Sequence, residues 1–176
     1  MKSDHNNIKM IISDVDGVWT DGSIYIGKNG DEMKKFSVLD GVGVALAKVA
    51  ELKIVLLSGR FSNATENRAK ELGINEVFNG SLNKLPIYEK LKQEHKLNDD
   101  QIVYIGDDLI DIPIMKKVAF PVSVSNATQE VKDISVFITN SCGGEGAFRE
   151  VVEWILDKKG KLKRTISTLN ENVKKL

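Results

Sequence analysis

The amino-acid sequence predicts an α/β fold in which helices cover a doubly wound, mostly parallel sheet and one β-hairpin is inserted. Three observations carry this expectation. Short apolar runs ending in polar or glycine residues recur along the chain, helical patterns separate them, and a single segment breaks the alternation. Strands covered by helices on both faces read as near-continuous apolar runs, which is the pattern found.

The runs occupy 9–14, 54–58, 76–78, 102–107, 120–124 and 136–139. Between them, Val42, Leu46 and Val49 share one helical face, and Leu85, Tyr88 and Leu91 share another. Phe148, Val151, Val152, Ile155 and Leu156 follow the i, i+3, i+4, i+7, i+8 rule of a helix with one buried stripe. Pro121 supplies no N–H to a ladder and predicts that its strand lies near an edge. The exception spans 23–38. Ile24 and Ile26 alternate, Asn29-Gly30 is a turn signal, and Met33 and Phe36 follow. A hairpin is therefore expected after the first strand, at the sheet end where open α/β folds bind ligands. Leu162, Ile166, Leu169, Val173 and Leu176 predict an additional amphipathic helix, docked rather than isolated because it has few turns.

The 176 residues, 41% hydrophobic, suffice for one core. The expected division is a domain over 1–157, containing the hairpin insert, and a basic tail over 158–176. That tail holds seven basic residues and only Glu171 as an acid, for +6 against −6 in the rest of a formally neutral chain. Neutrality gives no electrostatic case for nucleic acid. No apolar run reaches the roughly 20 residues of a membrane span, and residues 1–7 lack a signal-peptide core. A soluble, cytoplasmic protein is expected. The lone Cys142 has no disulfide partner or nearby histidine, and reads as structural.

Acids and phosphate-binding groups gather at the strand ends. Asp14 and Asp16 follow the first run, where unpartnered burial would be costly; a metal site accounts for them, and so would a turn or helix cap. Ser58-Gly59 ends another run and offers a hydroxyl and free N–H groups, suited to a phosphate or to capping a helix. Lys84 opens a helix, where a cation is mildly unfavourable unless it meets an anion; a solvent-facing lysine is the alternative. Asp107, Asp108 and Asp111 crowd after a fourth run, and like charges so close call for a cation.

In order and position, Asp14-x-Asp16, Ser58, Lys84 and Gly106-Asp107-Asp108-x-x-Asp111 resemble the four motifs of the haloacid dehalogenase superfamily. The likeness continues through Thr20-Asp21-Gly22, Phe36, Asp40-Gly41, Arg68-Ala69, Leu72-Gly73-Ile74 and the segment from Gly143 to Glu150. It points to the capless branch that acts on keto-sugar-acid phosphates. The resemblance implies a Rossmann-like sheet without a large cap domain and a phosphatase that forms an aspartyl-phosphate. Asp14 is then the nucleophile and Asp16 the general acid–base. Mg²⁺ is held by Asp14, the Asp16 carbonyl and Asp107. Ser58, Gly59 and Lys84 bind phosphate, while Asp108 and Asp111 orient Lys84 or metal-bound water. Arg60 and Arg149 are candidates for a substrate carboxylate.

The implied substrate is 3-deoxy-D-manno-octulosonate 8-phosphate, with a nine-carbon sialic-acid-type 9-phosphate or a noncatalytic oligomerisation module as alternatives. Asn83 before the lysine and Trp19 depart from commoner family residues and bear on the substrate, since neither performs chemistry. A receiver domain also joins an aspartate, a hydroxyl and a lysine, but holds its extra acids upstream of the phosphorylated residue, unlike Asp16. By the same resemblance a homotetramer is expected, with hairpins joining subunits and tails reaching neighbouring sites.

Overall fold

The computed structural model describes residues 4–175, so Leu176 of the expected tail helix lies outside the described residues. Six parallel strands form the sheet: β1 (Met10–Ser13), β4 (Lys53–Ser58), β5 (Glu76–Asn79), β6 (Ile102–Gly106), β7 (Phe120–Ser123) and β8 (Phe137–Ile138), in the order β5-β4-β1-β6-β7-β8. All six apolar runs of the sequence appear in it. Every residue of β1 is buried, because β4 and β6 pair with its edges and helices cover its faces. Each fully buried Ile or Met there contributes ~1.5–3 kcal/mol relative to exposure.

Chain order reverses at β1. From it the chain proceeds through β4 and β5 on one side, then returns to build β6, β7 and β8 on the other. The C-terminal ends of β1 and β6 therefore form the switch point where such sheets leave a crevice. Pro121 sits in the penultimate strand β7, beside the two-residue edge strand β8. Its carbonyl accepts from Val136 N–H, while strand pairing begins only at Val122 with Phe137, so little of the ladder is lost.

The inserted hairpin is β2 (Tyr25–Ile26) and β3 (Glu32–Met33), paired antiparallel. Gly27 N–H closes its loop onto the Asp31 carbonyl, and Gly30 takes the left-handed conformation at φ +83° that few other residues tolerate. No larger cap accompanies it among the described residues. The covering helices are α1 (Val38–Val49), α2 (Asn63–Glu71), α3 (Leu85–His95), α4 (Ile112–Met115), α5 (Gln129–Asp133), α6 (Ala147–Lys158) and α7 (Leu162–Val173). Among the described residues, no helix is long and apolar enough to cross a membrane.

The tail helix splits its apolar residues in a way heptad spacing did not foretell. Leu162 and Leu169 pack against the core with buried Thr165, while Ile166 and Val173 stay exposed. Thus α7 lies against α1 and α6 of its own chain.

Candidate active site

Asp14 follows β1 directly and is anchored on both sides. Its N–H donates to the Ile105 carbonyl of β6, and its carbonyl accepts from Ser13 Oγ at 2.7 Å. Buried Trp19 donates from Nε1 to the same Ser13 oxygen and packs on Phe148 of α6, so this uncommon tryptophan braces the strand end from behind. Asp14 Oδ1 accepts from Val15 N–H at 2.7 Å, and Oδ2 lies 2.8 Å from Lys84 Nζ.

Lys84, next to the first residue of α3, is almost wholly buried between two carboxylates. Asp111 Oδ1 sits 2.8 Å from the same nitrogen and also accepts from Tyr104 OH at 2.6 Å. Burial opposes a charge on Lys84, but Asp14 and Asp111 outweigh it and raise its pKa above the ordinary value. The solvent-facing alternative for Lys84 is thereby excluded. Asp111 Oδ2 accepts from the N–H groups of Asp107 and Asp108, so both Asp111 oxygens are engaged in orienting neighbours. Asp108 behaves differently: it is exposed, and its carboxylate caps the turn beginning at Leu109 without touching Lys84.

A cluster of acid oxygens from Asp14, Asp107 and Asp111 lies within 4.8 Å of one another. Burial, then Asp111, raises the Asp14 pKa to about 7 against the pull of Lys84. Burial followed by repulsion from Asp14 and Asp111 raises Asp107 to about 8. Asp107 Oδ1 and Asp16 Oδ2 are buried without a hydrogen-bond partner. Acid oxygens crowded this closely, with Asp107 Oδ1 unpartnered among them, fit a divalent cation. Each Asp14 oxygen has one partner and keeps a lone pair for a metal, whereas each Asp111 oxygen already accepts from two donors. Gly17, at φ +86°, lets the loop approach, and Gly143 packs on the Gly17 carbonyl from the far side.

Asp14, Asp16, Gly59, Arg60, Asp107 and Asp108 line one cavity of about 280 Å³, together with Ile24 of the hairpin segment and Leu82 and Ile110. Ser58 is buried beside it, and its hydroxyl is turned into the local bend, donating to the Arg60 carbonyl at 2.8 Å. Arg60 forms an ion pair with Glu32 of β3. Arg149 is not brought to this cavity: its N–H donates to Asp40 and its side chain pairs with Glu153 at 2.7 Å. Its position on α6 against Gly43 of α1 explains the separation.

Lys34 escaped sequence reasoning, and Asp40 entered it only within the family likeness, without a role. Lys34, beyond β3, has a fully enclosed side chain and donates from Nζ to Asp16 Oδ1 at 2.5 Å. Asp40, completely buried in α1, accepts from the Arg149 N–H near the start of α6, and burial raises its pKa to about 6. Neither stands in an apolar-run-plus-acid pattern, so local sequence gave no signal for Lys34 and no role for Asp40.

Comparison with known proteins adds four findings. A family model described as haloacid dehalogenase-like hydrolase matches residues 56–150. The 3-deoxy-D-manno-octulosonate 8-phosphate phosphatase KdsC of Escherichia coli (strain K12) is 39% identical over 156 residues, covering 89% of this chain and 83% of that protein. Among solved structures, the phosphatase of that name from Moraxella catarrhalis, in complex with magnesium ion, phosphate ion and a KDO molecule, superposes with a TM-score of 0.90. It is 35% identical, over 94% of this chain and 95% of that one. The Yersinia pestis phosphatase gives a TM-score of 0.88 at 38% identity, over 90% and 86% of the two chains.

Proposed function

Because this chain belongs to the haloacid dehalogenase-like hydrolases and is a Mg²⁺-dependent phosphoric monoester hydrolase, we propose that it hydrolyses 3-deoxy-D-manno-octulosonate 8-phosphate through an aspartyl-phosphate. The observation that carries the mechanism is Lys84 held between Asp14 and Asp111 at the switch point, 2.8 Å from each. Asp14 Oδ2 attacks phosphorus, and the bond to the sugar oxygen breaks. Asp16 gives its proton to that leaving oxygen, then takes one from the water that attacks the acyl phosphate, freeing Asp14 and inorganic phosphate.

Lys84 stays protonated throughout and holds a phosphoryl oxygen. The Gly59 N–H and the Ser58 hydroxyl, once rotated out of its bend, hold others. Asp14, the Asp16 carbonyl and Asp107 would hold Mg²⁺, and the exposed Asp108 carboxylate, beside them in the cavity, would serve from outside the ligand set. The metal supplies charge neutralisation for the phosphoryl group and lets two anions approach each other. Asp111 acts only through Lys84 and the Asp107 N–H. Arg60 meets the substrate carboxylate from its seat against Glu32.

Residues 1–157 make up the catalytic domain, and 158–176 an appended tail. The subunits form a homotetramer. Ile24, Tyr25, Ile26 and Met33 are exposed, with Ile24 and Ile26 on one face of the hairpin and Tyr25 and Met33 on the other, and Val38, Leu39 and Val42 of α1 add exposed apolar surface. Such surface on a two-stranded ribbon supports burial against other copies. A cytoplasmic location suits the unpaired Cys142.

The deciding experiment is phosphate release by purified protein from eight-carbon and nine-carbon keto-sugar-acid phosphates with Mg²⁺. Higher kcat/KM for the eight-carbon ester is expected. Higher efficiency on the nine-carbon ester would replace the substrate and leave the phosphatase mechanism standing.

A further inference from the structure

Lys34 carries an observation that the roles above do not use. Its side chain is 0% exposed, yet no carboxylate engages it as closely as Asp16 does. Nζ lies 2.5 Å from Asp16 Oδ1, 3.4 Å from Thr65 Oγ1 of α2, and 4.0 Å from Glu32 Oε1. Thr65 is itself buried, and Glu32 is drawn toward Arg60. Withdrawing an ammonium from water costs several kcal/mol unless a paired anion offsets it, so a site that retains one specifies the partner's geometry closely. The other Asp16 oxygen, Oδ2, is buried without a partner in the residue that lines the catalytic cavity beside Asp14 and Asp107.

We propose that Lys34 is a positioning residue of the reaction: it pins Asp16 Oδ1 so that Oδ2 is the oxygen that exchanges protons with the leaving group and water. This rests on the acid–base reading of Asp16. Its physical basis is that a carboxylate held at one oxygen loses rotational freedom, leaving the other fixed in direction. Misplacement of a reacting group by about 1 Å costs up to ~10²-fold in rate. Because Lys34 follows β3 directly, the seating of the hairpin and the aim of the general acid are one event. An α/β core without this insert would leave Asp16 free to rotate.

The test compares two substrates by kcat/KM, which reports events through departure of the leaving group. A sugar phosphate needs a proton on its alkoxide, whereas p-nitrophenyl phosphate releases an anion stable without one. Lys34→Met is expected to lower kcat/KM roughly 10–100-fold on the sugar phosphate and under about threefold on the aryl ester, with half-saturation by Mg²⁺ unchanged. Lys34→Arg should recover part of the loss. The double variant Asp16→Asn/Lys34→Met should fall no lower than Asp16→Asn alone, since both changes remove one function.

Equal losses on both esters, or full additivity in the double variant, would overturn the proposal and leave Lys34 a packing residue. If Lys34→Met does not fold, Lys34→Arg carries the comparison: a ratio shifted against the sugar ester supports positioning, and an unchanged ratio overturns it. Full activity of Asp16→Asn on the sugar ester would instead remove the acid–base reading itself, a result distinguishable from failure of Lys34 alone.

Discussion

A Cβ placed on Gly17 would lie 1.9 Å from Asp107 Oδ2, so the loop after β1 and the acid after β6 can meet only because residue 17 has no side chain. Gly17 also holds φ +86°, a conformation that costs an L-residue ~1–2 kcal/mol. Gly17→Ala should therefore displace Asp107 and weaken Mg²⁺ binding at least tenfold, as measured by titration calorimetry. Retention of normal affinity would show that Asp107 is not a ligand.

Asp14→Asn should eliminate turnover, because an amide is no nucleophile and leaves Lys84 with one carboxylate in place of two. Asp16→Asn differs. Its carbonyl can still hold the metal, so Mg²⁺ binding should persist while turnover falls about 10²–10⁴-fold. A drop below tenfold would remove Asp16 from proton transfer.

Chelation should make stability depend on pH with a definite sign. Burial and repulsion from neighbouring carboxylates push the Asp14 and Asp107 carboxyls up to about 7 and about 8 in the folded chain, well above the ordinary carboxylate value. Between the ordinary carboxylate value and those two, the folded state binds more protons at these groups than the unfolded one, so the stability they contribute is fully present at low pH and is lost as pH rises. Calorimetry of EDTA-treated protein should show Tm declining from about pH 5 to pH 8. Saturating Mg²⁺ should flatten that decline, because the cation favours the ionised acids. Parallel curves with and without metal would contradict the assigned site.

Ile26, 70% exposed and the most exposed apolar residue of the hairpin strands, is the position at which assembly and activity separate or do not. Ile26→Asp should lower the molar mass seen by light scattering and reduce sugar-phosphate turnover in parallel. A fully active monomer would refute assembly as a condition of catalysis.

Removing residues 160–176 should destabilise the domain, since Leu162, Thr165 and Leu169 of α7 pack onto the core. The partial burial of these side chains corresponds to ~1–3 kcal/mol, observable as a lower Tm. Unchanged Tm would mean that α7 does not dock in solution.

The six strands, the hairpin, and the placement of Asp14, Asp16, Ser58 and Asp107 at strand ends and of Lys84 at a helix start were legible in the sequence because each of those signals is local. An apolar run must be a buried strand in this alternation, and a charged or hydroxyl residue at its end must find a partner there. Contacts made at long range were not legible. Lys34 reaches Asp16 only because β2 and β3 fold the hairpin back over the loop after β1. Asp40 meets the backbone of Arg149 only because α1 packs on α6, and that same packing holds Arg149 away from the cavity where its charge had pointed. Local patterns set which residues occupy strand ends, since period and polarity act over a few residues. Which buried charge faces which is decided by the packing of distant elements, whose free energy is recovered only when the whole sheet is covered.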